Sequence, residues 1–247
     1  MDAHETTIYT TVLIISIIGG SIILYFIISM IRQHRRNIEL YKSKVRAEIT
    51  TLENERTRVS ADLHDELGPL LFTVKFKISS IEANTEDQKV LGEASSHLDD
   101  IIQRIREISN DLMPGTLLRK GVHYAIEEFI DNLAKTTTLH ITFIHQDVAE
   151  LSKEKAINLY RIVQEIIHNT LKHARASDLD IALTSSETKL VLNTQDNGIG
   201  FDYLTERIEN SGLGLRNLLN RTEFMGGNIY IESMPGQGTK YTIEIPL

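Results

Sequence analysis

The chain has 247 residues, a formal net charge of −8 and no cysteine. Its length allows one or two compact domains plus an appendage. The acid excess argues against a nucleic-acid-binding surface, which needs clustered excess Lys and Arg. The missing cysteine excludes a disulfide framework, thiol catalysis and cysteine-based zinc sites.

From Ile8 to Ile31 no residue is charged, and most are Ile, Leu, Val, Phe or Met. At about 1.5 Å per residue such a run spans a hydrocarbon core of about 30 Å with length left for tilt. It exceeds the roughly 7–15 apolar residues of a signal-peptide core and lacks a basic leader. Asp2 and Glu5 precede it, whereas Arg32, Arg35, Arg36, Lys42, Lys44 and Arg46 follow it. Basic residues stay on the cytoplasmic side, so the expectation is a single-pass membrane helix with its C-terminal bulk cytoplasmic. Residues 1–7 then form a short outer tail, too short to fold or bind a ligand.

Beyond the membrane, Ile38, Tyr41, Val45, Ile49, Leu52, Val59 and Leu63 mark one helical stripe, with Arg56 in the remaining place. The spacing is a heptad with one extra four-residue step, a stutter that locally relaxes a supercoil. The reading is a helix that pairs with a second copy, a solvated single helix being the alternative. The stripe runs on through Leu67, Leu70 or Leu71, Val74, Ile78 and Ile81. Ala83–Gln88 reads as a turn, and a second periodic helix from Leu91 to Leu112 ends at Met113-Pro-Gly115. Two such hairpins make a four-helix bundle.

From about residue 116 helices and strands alternate, as expected of one α/β domain. Helices are expected at Val122–Lys135, Lys153–Ala174 and Leu213–Met225. Strands are expected at His140–His145, Leu179–Thr184, Lys189–Gln195, Asn228–Ser233 and Tyr241–Ile245, with hairpin turns at Ser186–Thr188 and Pro235–Gly238.

Three clusters there could carry chemistry. Glu165, Asn169, Lys172 and His173 fall at helical spacing, and their oxygens and cations suit Mg²⁺ and phosphates; a solvated polar face has the same pattern. Asp196-Asn-Gly198-Ile-Gly200 follows a strand, where glycines admit close backbone approach and a carboxylate can accept from an exocyclic amine. Ser211-Gly212-Leu-Gly214 opens a helix, a natural phosphate cradle. Each alone could be an ordinary turn; their ordered combination is more telling.

"YRIVQEIIHNTLKHA", "DNGIGFD", "GLGLRNLLNRTEFMGGNIYIES" and "PGQGTKYTIEIP" resemble the N, G1 and G2 boxes and C-terminal strands of the GHKL ATP-binding fold found in histidine kinases. "ERTRVSADLHDELGPLL" resembles the phosphoacceptor box of the subfamily that includes bacterial nitrate sensors and thermosensor kinases. The resemblance implies that Asn169 coordinates Mg²⁺ with Glu165 beside it, and that Lys172 and His173 lie near the phosphates. Asp196 would bind the adenine amine, Gly198 and Gly200 would shape that pocket, Gly212 and Gly214 would flank the triphosphate, and Thr239 would lie near adenine. His64 would attack the γ-phosphate of ATP, with Asp65 as its base.

The implied division is a coiled-coil signalling helix over 32–54, a dimerisation and phosphotransfer domain over 55–115, and a GHKL catalytic domain over 116–247. The implied partners are a second copy of the chain, the lipid bilayer, and a response regulator whose receiver domain is followed by a helix-turn-helix output; no direct nucleic-acid binding is expected. The alternatives are an ATP-binding scaffold without phosphotransfer and an ATPase clamp. One departure matters. Relatives that also dephosphorylate their partner often carry Gln five residues after the phosphoacceptor, and here that place is Pro69, which leaves phosphatase activity open. Pro69 lacks the N–H for the carbonyl of Asp65 and its ring crowds that carbonyl, so with Gly68 it predicts a kink in the helix beside His64.

Overall fold

The computed structural model describes residues 3–81, 85–203 and 212–247. It separates into two units, Met1–Thr50 and Thr51–Leu247. Helix α1 (Ala3–Asp62) supplies all of the described first unit and the start of the second. In the first unit its large apolar side chains face outward, with Leu13, Tyr25, Phe26 and Met30 all 60% or more exposed. Among the described residues it forms the one helix long and apolar enough to cross a membrane. Helix is the form that suits hydrocarbon, because every backbone N–H is satisfied within the segment. Ser21 follows the same logic: its hydroxyl donates back to the carbonyl of Ile17 at 2.8 Å.

The second unit begins with a helical hairpin. After Asp62 the α1 ladder opens into a π-helical turn over Leu63–Leu67, and α2 (Gly68–Ser79) starts afresh. Pro69 is the second residue of α2, directly after the widened turn, which accommodates its missing N–H. In place of unbroken α-helical bonding, the site of the expected kink carries a wide π turn. Helix α3 (Thr85–Leu112) returns alongside. It starts inside the stretch read from sequence as a turn, whose Ala83 and Asn84 lie outside the described residues. Ser60 and Ser109 lock α1 to α3, their hydroxyls 2.8 Å apart and each donating to the other's backbone carbonyl at 3.0 and 3.1 Å. Lys75 reaches Asp99 at 2.5 Å farther along the hairpin.

A short helix α4 (Gly115–Lys120), unanticipated from sequence, leads into α5 (Val122–Ala134). Then follow β1 (His140–Gln146), α6 (Lys153–Asn169), β2 (Asp178–Ser185), β3 (Lys189–Asp196), α7 (Leu213–Phe224), β4 (Asn228–Ser233) and β5 (Thr239–Pro246). The five strands form one sheet in the order β1-β2-β3-β5-β4. β1 and β2 pair in parallel because α6 provides the crossover; the other pairs are antiparallel. Both expected hairpin turns join neighbouring strands, and the first closes with Ser186 N–H donating to the Lys189 carbonyl at 2.8 Å.

Burial alternates along β2, β3 and β5, so one sheet face packs and the other does not. Leu159, Ile162, Ile166 and Ile167 of α6 meet Leu192 and Ile243 of the sheet in a fully buried core. Each such side chain contributes roughly 1.5–3 kcal/mol on burial. Ser152 caps α6 by accepting from Lys155 N–H at 3.3 Å. The far end of α6 is unusual: it continues as a second π turn, Thr170–Ala174, and stops at Arg175 in left-handed conformation. The helix expected over Lys153–Ala174 is thus α-helical only to Asn169.

Candidate functional site

A cavity of about 610 Å³ opens between the end of α6, the loop after β3, the start of α7 and the start of β5. Asp196 closes it from the sheet side and is only 4% exposed. Its Oδ1 accepts from Gly198 N–H at 2.8 Å and from Thr239 N–H at 3.3 Å. Burial pushes this carboxyl above the usual carboxylate range, and the two backbone donors pull it partly back. Both bonds fall on Oδ1, which leaves Oδ2 to accept from a ligand amine.

Two glycines are there because nothing larger fits. Gly200 has φ +58°, and a Cβ on it would sit 2.2 Å from the Met234 carbonyl. A Cβ on Gly198 would sit 2.3 Å from the carbonyl of Ala174. The G1 loop is thereby pressed between the end of α6 and the β4–β5 turn. Further bonds pin it there: Ile199 N–H donates to Ala174 at 2.8 Å, and Phe201 N–H to Ser233 Oγ at 2.9 Å.

The opposite wall is the N-terminus of α7. Gly212 occupies its cap position without a side-chain bond, and a helix N-terminus of this kind presents its first amides to an anion. Ser211, which precedes it, lies outside the described residues. Gly214 packs on α6: a Cβ there would lie 2.4 Å from Glu165 Oε1 and 3.2 Å from Asn169 Oδ1. A carboxylate and an amide oxygen thus converge beside the helix start, the hard oxygen set that Mg²⁺ prefers.

Seven residues expected from sequence line the cavity: Asn169, His173, Asp196, Gly200, Gly212, Gly214 and Thr239. Glu165 stands behind Gly214, and Gly198 supports the loop from beneath. Lys172 is exposed and not among the lining residues. His173 lines the cavity and Lys172 does not: a π turn takes more residues per turn than an α-helix, which swings Lys172 farther from the face that Asn169 occupies. Sequence reasoning missed the apolar lining of Ile199, Phe201, Leu215 and Tyr241. Their signal was only that each flanks a glycine motif or begins a strand. A buried acceptor at one end, helix amides and a histidine at the other, and apolar walls between them fit a flat amine-bearing base joined to a polyanion.

His64 lies elsewhere, in the π turn of the hairpin. Its side chain is 77% exposed and that of Asp65 is 76% exposed, with Nδ1 2.9 Å from Asp65 Oδ1. A carboxylate can only accept, so this contact assigns the proton to Nδ1 and leaves the Nε2 lone pair free.

Residues 55–117 match a family model described as histidine kinase. Residues 154–247 match the model of the histidine kinase-, DNA gyrase B- and HSP90-like ATPases. The sensor histidine kinase ComP of Bacillus subtilis (strain 168) is 30% identical over 205 residues, covering 79% of this chain and 27% of that one. The oxygen sensor histidine kinase NreB of Staphylococcus carnosus (strain TM300) is 28% identical over 222 residues, covering 87% and 63%. The sensor protein VraS of Staphylococcus saprophyticus is 32% identical over 202 residues, covering 79% and 56%. The chain thus spans less than two thirds of the length of each of these relatives.

Proposed function

Because this chain belongs to the histidine kinase family, we propose that it transfers the γ-phosphoryl group of ATP to His64 and then to an aspartate of a response regulator. The observation that carries this reading is the Asp65–Nδ1 hydrogen bond, which fixes the tautomer a nucleophilic imidazole needs. Nε2 attacks the γ-phosphorus, a P–N bond forms, and the bond to the β–γ bridging oxygen breaks to leave ADP. Asp65 stabilises the positive charge that develops on the ring and takes up the Nδ1 proton. Phosphoryl transfer otherwise asks mainly for positioning and charge neutralisation.

The cavity supplies the positioning. Asp196 accepts the adenine amine, Thr239 lies beside that contact, and the α7 N-terminus with His173 faces the phosphates. Asn169 and Glu165 would hold Mg²⁺, which neutralises phosphate charge when bound. A second copy of the chain completes the hairpin into a four-helix bundle: Leu70, Phe72 and Phe76 of α2 are each more than 60% exposed in the single chain. The apolar segment of α1 anchors the protein in a bilayer once, with the Arg- and Lys-rich side in the cytoplasm. The regulator partner is of the helix-turn-helix output type, and Pro69 gives no side chain with which to position a hydrolytic water. A nucleotide-binding scaffold without transfer would leave the oriented imidazole without a use.

The test is incubation of the full chain with γ-labelled ATP, beside His64→Gln. Acid-labile label on the wild type alone is expected. Label that survives the substitution, or free phosphate without labelled protein, would overturn the assignment.

A further inference from the structure

Apart from Asp196 in the nucleotide cavity, three charged side chains are buried among the described residues, and they lie together. Glu53, on the last turns of α1, is 6% exposed and lies between two arginines of the ATP-binding domain. Arg161 Nε donates to Glu53 Oε2 at 3.1 Å, and Arg221 Nη2 donates to Glu53 Oε1 at 2.7 Å. Arg56, one turn along α1, adds a third donor at 3.2 Å. Arg161 also caps the end of α3 through the carbonyls of Asp111 and Leu112. Arg221 is steadied by Asn158 Oδ1 at 2.8 Å. One carboxylate therefore joins the hairpin to the domain across 108 and 168 residues of sequence.

The two arginines belong to the two helices that build the nucleotide site. Arg161 precedes Glu165 and Asn169 by one and two turns of α6, about 6 and 12 Å along the axis. Arg221 lies on α7, two turns beyond Gly214. On the hairpin side, His64 follows Glu53 by about three turns, roughly 16 Å. His64 is mostly exposed and is not among the residues that line the cavity. The contact therefore holds the domain in an arrangement that does not present His64 to its own nucleotide.

We propose that Glu53, Arg161 and Arg221 form a latch that keeps the ATP-binding domain docked on the base of the hairpin in a resting state and must open for phosphotransfer. This rests on the reading of His64 as phosphoacceptor. A buried ion cluster is a poor choice for permanent stability, since apolar residues of similar size hold at least as well. It is a good choice for a joint that opens, because carboxylate and guanidinium regain water on separation where an apolar patch would be left exposed. Burial, the largest influence on Arg161, presses its pKa down, and Glu53 opposes that; the cluster is held against a desolvation cost.

The test uses the full chain in lipid nanodiscs, wild type against Glu53→Gln and Arg221→Gln. The absence of native cysteine allows nitroxides at Ala61→Cys and Glu187→Cys alone. Dilution with unlabelled chain keeps one labelled protomer per dimer. Loss of one charge-assisted bond should shift the closed state toward the open by about tenfold, or 1.4 kcal/mol. The 61–187 distance distribution should broaden, and autophosphorylation should rise about tenfold with nucleotide Kd unchanged. Unchanged distances, or a rate equal to or below wild type with nucleotide still bound, would show a fixed structural joint and overturn the latch. Should either Gln variant fail to fold, Glu53→Asp keeps the charge one methylene shorter; the latch requires a smaller rise, and a fall in rate would overturn it. If the distances respond but wild type and variants alike acquire no label at His64, the rate comparison does not apply: the kinase reading fails and the opening joint stands on the distances alone.

Discussion

Asp196→Asn separates what the carboxylate does for the fold from what it does for the ligand. The amide oxygen can still accept from Gly198 and Thr239, which approach Oδ1 at 2.8 and 3.3 Å in the wild type. What disappears is a charge on a side chain that is 4% exposed and whose pKa burial holds above the carboxylate range. A carboxyl whose folded pKa is raised stabilises the protein below its unfolded pKa, and that contribution is lost as pH rises through the folded pKa. At neutral pH the wild type bears the desolvation cost in full, and the amide variant does not. The ligand-free variant should therefore melt at or above the wild-type temperature at pH 7, with the two curves converging toward about pH 4, near the reference value for Asp. Nucleotide binding should move the other way. A hydrogen bond to a charged acceptor contributes about 1.5–3 kcal/mol, so ATP affinity should fall roughly ten- to hundredfold. An inosine nucleotide, which has no exocyclic amine, should lose far less. Melting curves from pH 4 to 8 and fluorescence titration of both nucleotides decide the matter. An ATP Kd within twofold of wild type, or a ligand-free melting point several degrees lower at pH 7, would refute the reasoning.

Gly214→Ala brings a methyl to 2.4 Å from Glu165 Oε1, the movable end of a side chain. The fold should survive with an unchanged melting curve, while the Mg²⁺ dependence of ATP binding, read by titration at several Mg²⁺ concentrations, weakens about tenfold or more. Asp65→Asn removes the charge facing Nδ1; autophosphorylation should drop on the order of a hundredfold with ATP affinity intact, and equal losses in both would place Asp65 in folding instead. Pro69→Ala tests the restart of the helix. A proline inside a continuous helix costs about 3 kcal/mol relative to Ala, but in a first turn its substitution should change stability by less than about 1 kcal/mol, as measured by urea unfolding.

Much of the catalytic domain is legible in its sequence because period-2 and period-3.6 patterns there are bounded by clear stops. All five strands fall within two residues of their expected ends, and Asp196 and the glycines announce themselves as polar or small residues in apolar surroundings. What was not legible shares one physical origin. Glu53 reads as one more acid on a solvated helix beside Leu52, since nothing local reveals that Arg161 and Arg221 come to meet it. The apolar stripe runs through Leu52, which is 46% exposed, whereas its neighbour Glu53 is buried. Burial of a charge is decided by distant partners, and periodicity carries no record of them.

The π turns show the same limit at shorter range. Among the described residues they occur at Leu63–Leu67 and Thr170–Ala174, the two places where a histidine motif lies on a helix. An α-helical wheel assigns faces at about 100° per residue, and a wide turn resets that count from its first residue onward. Asn169, just before the second turn, lines the cavity, and within the turn His173 does and Lys172 does not. Glu53 lies in uninterrupted α-helix and meets the ATP-binding domain through Arg161 and Arg221, whereas His64 lies in the wide turn about three turns on. The proposed latch and the proposed phosphoacceptor therefore occupy differently bonded stretches of one hairpin, so either can be substituted without altering the local bonding of the other.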